Sequence, residues 1–200
     1  MNHPLRCRCG RLKGYVSHPY KATRGVCYCR DCQAYGHFLG PEGILDEYGG
    51  TDVAMVLPKN VVFTDGLDAL ACMSLTENGL LRWYASCCKT PIGNTVRNRK
   101  ISYVGLVHTC LESAALSLDQ SFGPVRMRIN TKHAKGRVEP TWFGTMSVIL
   151  GFLATVAGAR VGGGYRRNPF FDPRSGEPVV APIVLTRDER AQLMRAVDRR

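Results

Sequence analysis

The sequence predicts a mainly β fold followed by a helical C-terminal extension. Three observations carry this. Short segments rich in β-branched and aromatic residues, bounded by Gly, Pro, Asn or Asp, recur at about ten-residue spacing through the first 110 residues. An uncharged apolar run then fills residues 142–159. Behind it come a Gly/Pro/Arg-rich stretch and a closing segment with helix-capping signals. The 200-residue chain therefore divides into residues 1–140 and an extension, 141–200.

The strand segments, in order, are 12–18, 23–29, 51–57, 60–65, 69–75, 80–86 and 101–107. Their even spacing points to a sandwich, a barrel or a small curved sheet. Residues 31–39 read as a short helix. Residues 111–120 read as another, with Leu111, Ala115 and Leu118 on one face. The run 142–159 is a little short for a membrane-spanning helix, which needs about twenty apolar residues, and it contains Gly144, Gly151 and Gly158. It is read first as a helix packed in the core, on the β domain or on a second copy of the chain. The second reading is a membrane-associated helix, flanked by Arg160, Arg166 and Arg167. The terminal segment is a helix whose N-cap is Thr186, with Glu189 three positions on.

Nine cysteines is an odd number, and seven of them are clustered: Cys7 and Cys9; Cys27, Cys29 and Cys32; Cys87 and Cys88. No basic segment followed by an apolar one opens the chain, so the expectation is a cytoplasmic, reducing location, where close-set cysteines point to metal rather than disulfides. Zinc takes thiolates in a tetrahedron. Alternate residues of a strand share a face, so Cys7 and Cys9 can offer two sulfurs to one ion. Cys87 and Cys88 are the nearest candidates to complete that site, joining two distant segments as a staple. Adjacent strand residues point to opposite faces, so Cys87 requires a bend or bulge to join Cys88; if it fails, the site has three sulfurs with water or a histidine such as His3, or stays empty.

The C-x-C-x-x-C of Cys27, Cys29 and Cys32 supplies three sulfurs and no fourth cysteine nearby. Two readings stand. One is a zinc with a position left for a soft ligand such as a thiol, whose pKa the metal would lower. The other is a structural zinc completed by His37 or another histidine. Asp31 is a proton acceptor for an incoming thiol, a helix-first-turn carboxylate, or a partner of Arg30. Tyr28, Tyr35 and Phe38 either wall a pocket or pack in the core. Cys72 and Cys110 read as buried small hydrophobes.

The stretches CRCG, CYCRDCQAYG and CCKTPIGNT, in that order, resemble the glutathione-dependent formaldehyde-activating family, which includes the centromere-protein-V-like domains. The resemblance covers roughly residues 5 to 110. It implies small antiparallel sheets stapled by zinc, sometimes called a β-tent. It also implies one structural zinc from the first and last cysteine pairs and a second from the middle triplet, giving one or two Zn²⁺ per chain. Glutathione would be the co-substrate, and addition to formaldehyde or another small aldehyde the reaction, a carbon–sulfur lyase chemistry. Two details depart from the family's C-x-x-C-G-T-P: Ala85 stands where its first cysteine falls, and Lys89 where its glycine falls.

The net charge of +11 draws anions. Part of it balances thiolate charge, since a zinc with three thiolates carries −1 and one with four carries −2. No basic–aromatic stripe marks a single-strand binder, so nucleic acid ranks low as a partner. The alternative to an enzyme is a non-catalytic zinc-stapled module, with a basic, membrane-associated extension or a homo-oligomeric interface.

Overall fold

The computed structural model describes residues 2–199, apart from the side chains at positions 142–145, 147 and 149. In chain order the elements are β1 (Asn2–Arg6), β2 (Lys13–Ser17), β3 (Thr23–Cys27), α1 (Arg30–Leu39), β4 (Thr51–Val56), β5 (Val61–Asp65), β6 (Leu70–Ser74), β7 (Leu81–Ala85), β8 (Pro91–Thr95) and β9 (Val104–Val107). Then follow α2 (Leu118–Phe122), β10 (Met127–Ile129), α3 (Trp142–Val161), β11 (Ile183–Val184) and α4 (Arg187–Asp198). The protein is thus mainly β, with a C-terminal helix.

Two sheets form. The smaller is antiparallel, in the order β1-β2-β5. The larger has the order β10-β3-β4-β9-β8-β7-β6-β11. Its six inner strands pair antiparallel, and its two outermost strands, β10 and β11, add parallel to β3 and β6. The main apolar cluster lies between the sheets. Trp83, fully buried on β7, packs against Phe170 at 5.1 Å and donates its indole N–H to Thr95. Burial of such a side chain contributes roughly 1.5–3 kcal/mol. A second cluster joins α1 and α4 to the larger sheet through Tyr35, Met73, Leu75 and Val197.

All seven strand segments read from the sequence contain a strand. The helix at 31–39 is α1, and the terminal helix is α4 with the expected Thr186–Glu189 capping box. The helix expected over 111–120 is a correction. Residues 108–110 form a single 3-10 turn, and the helix begins only at Leu118, where the Ser117 hydroxyl accepts from the Gln120 amide and the Gln120 side chain caps the Ser117 amide. That local cap outcompetes the apolar spacing of Leu111, Ala115 and Leu118. The run 142–159 lies within the twenty-residue α3. Phe152 meets Tyr103 edge-on at 5.4 Å, while Met146, Leu150 and Leu153 are each more than half exposed. Among the described residues, no helix is long and apolar enough to cross a membrane.

Candidate metal centres and cavity

The first cysteine group forms where two loops meet. After β1 the chain turns at Cys7–Gly10: the Gly10 amide bonds the Cys7 carbonyl, Gly10 adopts φ +77°, and the Leu12 amide donates to Cys7 Sγ at 3.3 Å. The other loop is the β7–β8 connection. There the Lys89 amide bonds the Ala85 carbonyl at 2.9 Å, so Cys87 and Cys88 lie in a turn. The Arg8 amide donates to Thr90 Oγ1 at 2.9 Å and ties the two loops together.

Within this group Cys7–Cys9, Cys7–Cys87, Cys9–Cys87 and Cys87–Cys88 have Sγ separations of 3.5, 3.8, 3.3 and 3.8 Å. All four sulfurs lie within 4.8 Å of one another. Ligands at 2.3 Å from a tetrahedral zinc stand about 3.8 Å apart, so the donor set fits that ion. The structure gathers the sulfurs that the spacing grouped. Cys7 and Cys9 converge through a turn beyond the end of β1 rather than along a strand, and Cys87 joins Cys88 through the bend that their adjacency requires.

Lys89 has φ +57°, a left-handed conformation that a glycine adopts freely. Here the Lys89 ammonium lies over Tyr84 and Phe38, 5.2 and 5.8 Å from the ring centroids.

The second group sits at the junction of β3 and α1. Cys27 ends β3, Cys29 is the N-cap of α1, and Cys32 lies in its first turn. Cys29 Sγ accepts from the Cys32 amide at 3.4 Å, and Asn130, just past β10, donates from Nδ2 to Cys27 Sγ at 3.6 Å. The three sulfurs lie within 4.8 Å of one another. The positive end of the α1 dipole favours thiolate here, but crowding works against it. The Cys27 thiol's hydrogen bond lowers the Cys29 pKa, yet Cys32 and burial outweigh it and push it up to about 11. The Cys27 thiol and burial push Cys32 up to about 11 as well. Three neighbouring thiols do not ionise together without a cation, and a thiolate-seeking dication is what removes that conflict. In the first group burial raises Cys88, but hydrogen bonds from Thr90 and from the Cys9 backbone bring it down to about 6.

No histidine joins either group among the described residues. His3 is fully buried, with Nδ1 2.7 Å from Ser121 Oγ and Nε2 2.7 Å from the Leu111 carbonyl, so it is committed away from the cysteines. His37 stands outside the triplet, and its buried Nε2 has no hydrogen-bond partner among the described residues. Arg30 pairs with Asp198 of α4 at 2.8 Å, not with Asp31.

A cavity of about 280 Å³ opens beside the triplet. Cys27, Cys29 and Cys32 line it, with Asp31, Arg82, Asn94, Tyr103, Asn130 and an apolar remainder that includes Val53, Met55 and Met127. Tyr28, Tyr35 and Phe38 do not. Tyr28 donates to Asp46, the buried Tyr35 donates to the Trp83 carbonyl, and Phe38 packs on Tyr84. The polar wall residues come from β7, β8, the approach to β9 and the exit of β10, strands brought together only by the sheet. No spacing in the sequence marks them. The single readable signal was Arg82, a lone cation in the otherwise uncharged LLRWYAS. Cys72 and Cys110 are buried, as their apolar context predicts, and burial pushes Cys72 up to about 12.

Two thiol groups thus differ in kind. One has four donors and seals the junction of two loops; the other has three donors and faces a cavity. No curated protein matches the chain. Residues 1–181 match the model described as "Family of unknown function (DUF6151)", and the chain belongs to that family.

Proposed function

We propose that this protein binds zinc at both cysteine groups and uses the three-cysteine group to bind a small thiol, glutathione being the member of that class the sequence resemblance implies. The resemblance to the formaldehyde-activating enzymes then gives the reaction: addition of the thiol to a small aldehyde. A carbon–sulfur bond forms, the carbonyl π bond breaks, and the thiol proton ends on the carbonyl oxygen; nothing is oxidised or reduced. The observation that carries this reading is the contrast in donor number beside a cavity. Cys7, Cys9, Cys87 and Cys88 offer four donors, the number a tetrahedral zinc would take, whereas Cys27, Cys29 and Cys32 offer three and line a cavity.

A zinc ion held by the three cysteines would lower the pKa of an incoming thiol and favour its thiolate at neutral pH. The remaining work falls to side chains of the chain. Asn130 holds Cys27 through its amide. Asp31, which lines the cavity, would take the thiol's proton. Val53, Met55 and Met127 keep water from the reacting atoms. The test is titration of glutathione onto cobalt-substituted full-length protein. A shift of the cobalt spectrum at millimolar thiol, lost in Cys29→Ser with the fold intact, is expected. An unchanged spectrum would overturn the reading.

A non-catalytic zinc-stapled module is the second reading, favoured by the exposed apolar Met146, Leu150 and Leu153 of α3 beside a chain of net charge +11. It predicts partition onto anionic vesicles and no response to thiols.

A further inference from the structure

We propose that the three-cysteine cavity selects a thiol that carries a carboxylate, and that the guanidinium of Arg82 is the group that recognises it. This rests on the reading that the triplet holds a metal with one position free.

Arg82 is only 2% exposed. Its Nη1 donates to Asn94 Oδ1 at 3.2 Å, and its guanidinium carbon lies 5.2 Å from the centroid of the Tyr35 ring. Among the described residues no carboxylate oxygen comes within 4.0 Å of it. The other buried arginine, Arg24, is treated quite differently. It meets Asp52 at 2.6 Å and also pairs with Asp119. A buried charge without an opposite one is expensive and is retained where something else supplies the counter-charge.

Arg82 and Asn94 both line the cavity, and among the described residues the only other charged side chain there is the exposed Asp31. The triplet with a dication accounts for one negative charge near Arg82, but an arginine has five donors in a planar fork, and that fork matches a carboxylate. Asn94, whose carbonyl oxygen is engaged, adds an amide donor to the same wall. Much of the remaining wall is apolar, with Val53, Met55, Leu80 and Met127, and Tyr103 and Asn130 add polar side chains near the triplet. At about 280 Å³ the cavity lies at the small end of ligand pockets, which run about 300–1,000 Å³. The favoured ligand is therefore compact: a sulfur for the triplet, a few carbons, and a carboxylate for Arg82. In glutathione the cysteinyl carboxyl is amide-bonded, so its glycyl carboxylate would have to enter with the sulfur to meet Arg82.

The experiment uses the cobalt-substituted full-length protein and a matched pair of probes, 3-mercaptopropionate and its neutral amide. The acid is expected to bind about tenfold or more tightly than the amide, the ordinary worth of a charge-assisted hydrogen bond. In Arg82→Gln that preference should vanish while the amide binds as before and cobalt content is unchanged. Arg82→Lys, which keeps the charge but loses the fork, should retain part of it. Equal binding of acid and amide by the wild-type protein overturns the inference and leaves the thiol-site reading standing. Equal binding together with cobalt loss in Arg82→Gln assigns Arg82 to the metal alone and likewise overturns it. If neither probe moves the spectrum, the thiol-site reading itself fails and this inference with it. The wild-type comparison decides the matter even if every Arg82 variant fails to fold.

Discussion

At the residue scale, the seven clustered cysteines divide by what surrounds them. Cys7, Cys9, Cys87 and Cys88 close a loop across about eighty residues, the separation of Cys7 from Cys87. Replacing Cys7 with Ser should release one zinc and destabilise the protein by about 4 kcal/mol, the scale of a crosslink over a loop of that length. Chemical denaturation with metal analysis checks both. Cys29→Ser should release the other zinc at a smaller cost in stability, because α1 keeps its packing through Tyr35 and Leu39. Lys89 offers a test of the backbone alone. Its left-handed φ of +57° tolerates Gly, whereas a β-branched residue is strained there. Lys89→Val should cost roughly 1–2 kcal/mol in denaturant midpoint terms, and Lys89→Gly should cost less. The cysteines were legible in the sequence by type and spacing. The geometry of Cys87 was not, because adjacency in a strand and adjacency in a turn look alike on paper and place the sulfurs oppositely.

At the scale of elements, the strands were legible where branched and aromatic residues sit between turn residues, as in Thr51–Val56 and Leu81–Ala85. Three of the strands that escaped did so for physical reasons. β8 opens on Pro91 and contains Gly93, so PIGNT reads as a turn, yet all five of its residues are buried in the sheet. β10 and β11 have only three and two residues and form by parallel addition to edges that the sequence does not reveal. The Ser117–Gln120 capping box was a readable signal for the true start of α2, passed over in favour of apolar spacing. The Thr186 cap of α4 was read correctly. Thr186→Ala should therefore cost about 1 kcal/mol, visible as a lower denaturation midpoint. The loss falls on α4 and on the Val197 contact it brings to the second cluster. The Arg30–Asp198 pair linking α1 and α4 is roughly half exposed, so Asp198→Asn should change stability by less than about 1 kcal/mol.

At the scale of the whole molecule, the first cysteine group joins the end of β1, in the small sheet, to the β7–β8 turn of the large one. The triplet instead sits where the large sheet hands over to α1, with the cavity beside it. One group therefore joins the two sheets, and the other lines a cavity. The cavity walls were illegible in the sequence because Arg82, Asn94, Tyr103 and Asn130 come from four separate segments. Only the strand order β3-β4-β9-β8-β7, with β10 at its edge, gathers them. The pH dependence follows from the triplet as a unit. Metal-free, Cys27 is raised and Cys29 and Cys32 titrate at about 11, so all three carry protons at neutral pH. Binding a dication expels them, acid favours the metal-free form, and the logarithm of the triplet's zinc affinity should rise by about three per pH unit between pH 6 and 8. Competition with a chelator of known affinity across that range measures the slope.

The most direct measurement is zinc per chain in full-length protein purified without chelator, repeated on Cys29→Ser. Two zinc ions in the wild type and one in a still-folded variant are predicted. A stably folded wild-type protein that holds no zinc and takes none up would contradict the account.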